Sequence, residues 1–151
     1  MTSQSIPYQL SQAIVSALRL QFEADGVVVR DNPTSLADLN TGGRVVFVED
    51  DADDLRDKPG QAEGRTFGVN VGVINRTADA RAGADADMVA IKACITTAVA
   101  AAALVMVRDK ALLAAQAVRE GRRTYKVEGI DVGGALVLTR FEIDYRTPSV
   151  R

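Results

Sequence analysis

The densest run of metal-capable side chains in this chain is acidic. Glu49, Asp50, Asp51, Asp53, Asp54 and Asp57 fall within nine residues, relieved only by Arg56. Carboxylates at that density raise divalent-cation binding first. A helix-loop-helix calcium loop needs oxygens at positions 1, 3 and 5, glycine at 6 and glutamate at 12. Counting from Glu49 puts Asp54 on the glycine position and Gly60 on the glutamate; counting from Asp51 puts Arg56 on the glycine. The run therefore predicts a solvated, self-repelling loop with Pro59 and Gly60 at its tip, and no dedicated metal site.

Other chemistry is equally sparse. The 151 residues contain no histidine and one cysteine, Cys94. That removes the commonest general base, the usual partner of a serine or cysteine nucleophile, and a structural zinc site. Cys94 sits in an apolar helical run with no base to activate it, so a buried small side chain is expected. Glu128, Asp131, Glu142 and Asp144 are candidate paired carboxylates for glycoside chemistry, but carboxylates on an exposed hairpin more often solubilise or bind. The glycines at 60–64 lack the lysine of a phosphate-binding loop, and those at 129–134 lack dinucleotide spacing. No catalytic residue, cofactor or metal is assigned.

Charge is distributed in two blocks of opposite sign. Residues 49–57 carry six acids and one arginine, or −5; residues 108–126 carry six basic side chains and two acids, or +4. The net charge is only −2, which gives no general attraction to nucleic acid or anionic membrane. Few aromatics are available to stack bases. Opposite blocks suit self-association. The start of the chain lacks the basic flank and apolar run of a signal peptide, which predicts an intracellular protein.

The elements that must position these residues follow from periodicity. A helix is expected from about Ser5, with Pro7 in its first turn, Leu10, Ile14, Leu18 and Phe22 on one stripe, and Gly26 as its stop. Residues 27–30 and 44–49 read as strands, the second apolar on both faces, with a possible helical turn at 35–39 between them. A strand over 65–76 puts Phe67, Val69, Val71 and Val73 on one face. Gly68 and Gly72 on the other predict close approach of a further element. A second helix is expected, capped by Asp85 or Asp87, with Met88, Ile91, Ile95 and Val99 buried. Its alanine-rich run over 93–107 falls short of the roughly 20 residues of a membrane span, so it is read as packing on the sheet. Residues 111–119 read as a further helical turn or two.

The chain closes on its most regular pattern. Val137, Thr139, Phe141, Ile143 and Tyr145 alternate with Leu138, Arg140, Glu142, Asp144 and Arg146, and 124–128 alternate before a glycine-rich join. This predicts a closing hairpin with a charged outer face. The whole reads as one α+β domain over 1–151: a mostly antiparallel sheet with two main helices packed on one face.

The order of elements, the run Val45-Val-Phe-Val, the alanine-rich helix, and the closing strands Tyr125-Lys-Val-Glu-Gly and Phe141-Glu-Ile-Asp-Tyr-Arg-Thr together resemble the tail terminator (tail completion, or minor tail) proteins of long-tailed bacteriophages. The resemblance covers essentially the whole chain and is one of pattern. It implies a non-enzymatic virion protein of the tail or neck, assembled in the bacterial host cytoplasm. Such a protein forms a ring, of six subunits by analogy, that caps the tail tube, ends its polymerisation and meets a head-side connector or neck protein. DNA passes the channel without specific binding, and no membrane is involved. By the same analogy Asp50, Asp51, Asp53, Asp54 and Asp57 would face the lumen or tube end, and reversing Asp50, Asp51, Asp53 and Asp54 to lysine would leave folding intact while impairing assembly or DNA passage. Arg119, Arg122, Arg123, Lys126, Arg140, Glu142, Asp144 and Arg146 would meet a neighbouring subunit or partner. A neck or head-completion protein is the alternative in the same particle; a small acid-based enzyme or ligand-binding domain is the alternative outside it.

Overall fold

The computed structural model describes residues 4–35, 39, 42–57, 62–108, 114–126 and 134–148, the side chains at 62, 105–108, 114–117, 126 and 148 excepted. Helix α1 spans Ile6–Phe22. The Ser5 hydroxyl accepts the Tyr8 N–H at 3.3 Å, and proline occupies the first turn, where it loses no helical hydrogen bond. Leu10, Ile14, Val15, Leu18 and Phe22 form the buried stripe. A 3₁₀ turn, Glu23–Asp25, leads to Gly26, whose φ of 78° is one that glycine adopts without strain.

Among the described residues, five strands form one sheet in the order β1-β2-β3-β5-β4. They are β1 (Val28–Asp31), β2 (Arg44–Asp57), β3 (Ala62–Asn75), β4 (Ala114–Lys126) and β5 (Ala135–Pro148), with α2 (Ala80–Arg108) between β3 and β4. β1 and β2 are parallel, and every other pair is antiparallel. Both helices lie on the same face. Val46 and Val48 of β2, alternate residues of β3 from Phe67 to Val73 and of β5 from Val137 to Tyr145 meet α1 and the Met88, Ile91, Ile95 and Val99 stripe of α2 there. On the opposite face a small cluster of Val45, Phe47 and Ile74 is partly covered by Leu39. The doubly apolar run of β2 is thus covered on both sides, and the fold is the expected single α+β domain with its two main helices on one face of a mostly antiparallel sheet.

Three local expectations are overturned. The acidic run is strand: β2 continues through Asp57, paired with β3 residue by residue apart from register shifts at Asp51 and Arg56. Aspartate is a poor strand former, but cross-strand partners decide such cases. Helix α2 begins at Ala80, so Asp85 and Asp87 lie inside it and cap nothing. Asp87 is buried and holds Arg44 of β2, with Arg44 Nε donating to Asp87 Oδ2 at 3.2 Å. Residues 114–119, expected helical, form the first half of β4, because pairing with β5 outweighs alanine's helix preference.

Helix α2 has 29 residues, and Ala80–Leu104 is long and apolar enough to cross a membrane by length and composition. Here its buried stripe packs on α1 and the sheet. Residues 36–38 of the expected turn at 35–39, the tip at 58–61, and Glu128 and Asp131 in the closing turn lie outside the described residues.

Candidate functional site on the open face of the sheet

The helix-free face of the sheet is organised by the glycines of β3. Gly64, Gly68 and Gly72 recur every fourth residue on the central strand, on the face opposite Phe67, Val69, Val71 and Val73. Without Cβ atoms they leave a shallow floor, and side chains of the two flanking strands lie across it. The Phe47 ring covers Gly72, the Arg140 guanidinium covers Gly68, and Asp57 and Arg146 meet over Gly64. The close approach foreseen for Gly68 and Gly72 is real, but it comes from side chains of the flanking strands and not from an element packed on that face.

This floor lets β2 and β5, which are not neighbours, exchange ion pairs over β3. Asp51 of β2 pairs with Arg140 of β5 across Gly68. Arg56 of β2 reaches Asp144 of β5 at 3.5 Å across Thr66, whose hydroxyl donates to Asp144 Oδ1 at 2.7 Å. Arg146 of β5 donates to both oxygens of Asp57 of β2, at 3.0 and 3.2 Å, across Gly64. The sign alternates from rung to rung. Arg119 of β4 extends the lattice outward to Asp144 at 2.9 Å and Glu142 at 3.1 Å, and Glu142 also accepts from Arg140 at 3.5 Å. Burial by itself would raise the Asp144 carboxyl, but the Thr66 hydroxyl and the Arg119 and Arg56 guanidiniums outweigh it, so Asp144 titrates below the ordinary aspartate range.

The expected site residues therefore divide between two faces. Asp51, Asp57, Arg119, Arg140, Glu142, Asp144 and Arg146 belong to the open face. Asp50 and Asp53 point to the helix side: Ser11 Oγ of α1 donates to Asp50 at 2.6 Å, while the Tyr145 hydroxyl and Arg65 Nε donate to Asp53 at 2.7 and 2.8 Å. Burial and then Asp53 raise the Tyr145 phenol far above its usual value. Asp54 is exposed. Arg122 is exposed in the register shift of β4, and the Lys126 side chain lies outside the described residues. Arg123 turns to the helix side, donating to Glu120 at 2.7 Å and pairing with Asp85 at 3.6 Å; Lys92 of α2 joins Glu120 at 2.8 Å. Hydrogen bonding from Lys92 leads the effects that lower the Glu120 pKa. Arg56, Arg65 and Thr66 escaped the sequence reading; the four-residue glycine spacing was the signal that side chains cross β3.

Chemically, the arrangement stores charge in pairs. Every carboxylate of the open-face lattice faces a guanidinium. Cys94 is half-buried, and burial raises its thiol pKa, away from thiolate chemistry. Among the described residues no three His, Cys, Asp or Glu side chains converge as metal ligands would. A groove of about 530 Å³ between α1 and α2 is lined chiefly by alanines with Leu20, Cys94 and Thr97. Another of about 640 Å³ at the start of α2 is lined by Asp79, Arg81, Asp85, Tyr125 and alanines. The chain matches no protein-family model, and no curated protein matches it.

Proposed function

We propose that this chain is a structural virion protein of a long-tailed bacteriophage: a tail terminator whose ring caps the tail tube, ends its polymerisation and joins the tail to the head-side connector. The observation that carries the reading is the lattice of cross-strand ion pairs on the open sheet face. Its charged side chains are committed to a rigid, charge-balanced surface of the kind an assembling subunit presents. The order of elements, an N-terminal helix, long hairpin, alanine-rich helix and closing hairpin, supports it further.

In this reading the subunits number six, the tail tube and a connector or neck protein are the partners, and DNA passes without specific binding. The arginines of the open face are engaged by carboxylates, so they do not form a row that neutralises phosphates. Acids of β2 would lie toward the lumen or tube end. The test is genetic and visual. Removing the gene from its phage is expected to give headless tails of uncontrolled length under electron microscopy, restored to uniform length by the gene in trans. Tails of normal length joined to heads in the deletion strain would sink the proposal.

A further inference from the structure

The sheet ends in two strand edges of opposite charge. β1 pairs only with residues 45–48 of β2, so residues 49–57 have no strand on their outer side among the described residues. The Asp50 N–H donates to Asn32 Oδ1, which closes the β1 side, and the edge continues beyond it. That edge carries six acids and Arg56, a net −5. Among the described residues β4 forms the other border of the sheet, and it carries Arg119, Arg122, Arg123 and Lys126 against Glu120, a net +3.

The two edges also stand level. Ala52, Asp53 and Asp54 connect row by row through β3 and β5 to Arg119, Val118 and Ala117. Glu49 connects through Asn70 to Arg140, beside the register shift of β4 that holds Arg122. Register shifts confine each of these edges to a short regular stretch, 52–55 in β2 and 117–120 in β4. β2 and β4 run in opposite directions. A second copy turned about an axis along the strands therefore brings its β4 antiparallel to β2, with the helix layers on the same side.

We propose that the outer edge of β2 beyond Asp50, over 51–57, in one copy pairs antiparallel with β4 of the next copy, with Glu49 flanking the contact, so that the sheets join head to tail. Unpaired strand edges recruit another strand, and opposite charge selects which. β2 against β2 and β4 against β4 would set like charges opposite each other, which leaves the heterologous contact. Such a contact exposes one acidic and one basic edge at every stage of assembly, until rotation closes a ring. The proposal rests on the ring reading above and specifies its subunit contact.

Charge exchange tests it. The double variant Glu49→Arg/Asp54→Arg and the double variant Arg119→Gln/Arg122→Glu are each expected to sediment as single chains, where the unaltered protein sediments as a multi-subunit particle. An equal mixture of the two variants is expected to recover the multi-subunit mass, because unaltered β4 meets unaltered β2 in alternate contacts and Glu49→Arg faces Arg122→Glu in the others. Circular dichroism confirms that each variant is folded; should the second unfold, Arg122→Glu alone replaces it. Self-association of the unaltered protein is also expected to weaken at least tenfold between 0.05 and 0.5 M salt, since the edges attract across solvent. A particle that keeps its mass in both variants overturns the edge contact while leaving the ring reading standing. Variants that stay single chains when mixed, or association indifferent to salt, likewise overturn the contact alone. An unaltered protein that is monomeric at all concentrations overturns both.

Discussion

The glycines of β3 separate two costs that look alike in sequence. A Cβ at Gly72 would collide with the Phe47 ring, which is buried against Val45 and Ile74. A Cβ at Gly68 would meet only the end of the Arg140 side chain, which can lift into solvent. Gly72→Ala is therefore expected to destabilise by about 1–3 kcal/mol through overpacking. Gly68→Ala should stay within about 1 kcal/mol of the parent, since alanine suits a strand interior better and an exposed ion pair contributes little. Urea midpoints measure both; equal costs would mean the trough is not occupied as described. Asp144 yields a pH prediction. Its folded pKa is depressed, so its stabilisation is complete above the unfolded value of about 3.9 and is lost as pH falls through the folded value. Stability should drop below about pH 4, and Asp144→Asn should flatten that drop while costing about 1–2 kcal/mol at pH 7. Denaturant titrations at pH 3, 4 and 7 read both effects.

At the scale of elements, α2 shows how an alanine-rich helix chooses a side. Ile95 is fully buried, and Val89, one turn and a half away, is 61% exposed. Ile95→Ala is expected to cost about 2–5 kcal/mol, and Val89→Ala less than about 0.5 kcal/mol, when unfolding is followed by chemical denaturation. Similar costs at the two positions would contradict a helix laid with one stripe on the sheet. Helix α1, β1, the body of β3 and the closing hairpin were legible in the residues because apolar spacing, a proline in the first helical turn, and strict alternation agree there. The acidic half of β2 and the first half of β4 were not. Their composition argues for loop and helix, and backbone pairing, of β2 with β3 and of β4 with β5, holds them as strand, with Arg140 and Arg146 pairing the acids from further along the chain.

For the whole molecule, the consequence falls on the acidic run. Asp50, Asp51 and Asp53 each hold a hydrogen bond or ion pair to another element, and only Asp54 of these four is simply exposed. Reversing Asp50, Asp51, Asp53 and Asp54 to lysine together is thus expected to weaken the fold itself by several kcal/mol, at about 1–3 kcal/mol for each charged partner left unpaired. Asp54→Lys alone should leave it unchanged within about 0.5 kcal/mol. Thermal melts of the two variants distinguish this from a free acidic loop, for which both would melt like the parent. An effect of Asp54→Lys on assembly can then be read without a folding defect.

Composition and periodicity by themselves determined the α+β class, both helix stripes, the buried faces of β3 and β5 and the scarcity of histidine and cysteine. All of these depend on spacing within a few residues, where covalent geometry dictates which side chains share a face. Only tertiary structure decided where the charges go. The closing hairpin, Asp51, Arg56, Asp57 and the glycines of β3 are dispersed along the chain, and their meeting depends on β2 and β5 flanking β3. Pairing energy between such residues exists only after the sheet has formed, so no local pattern can report it.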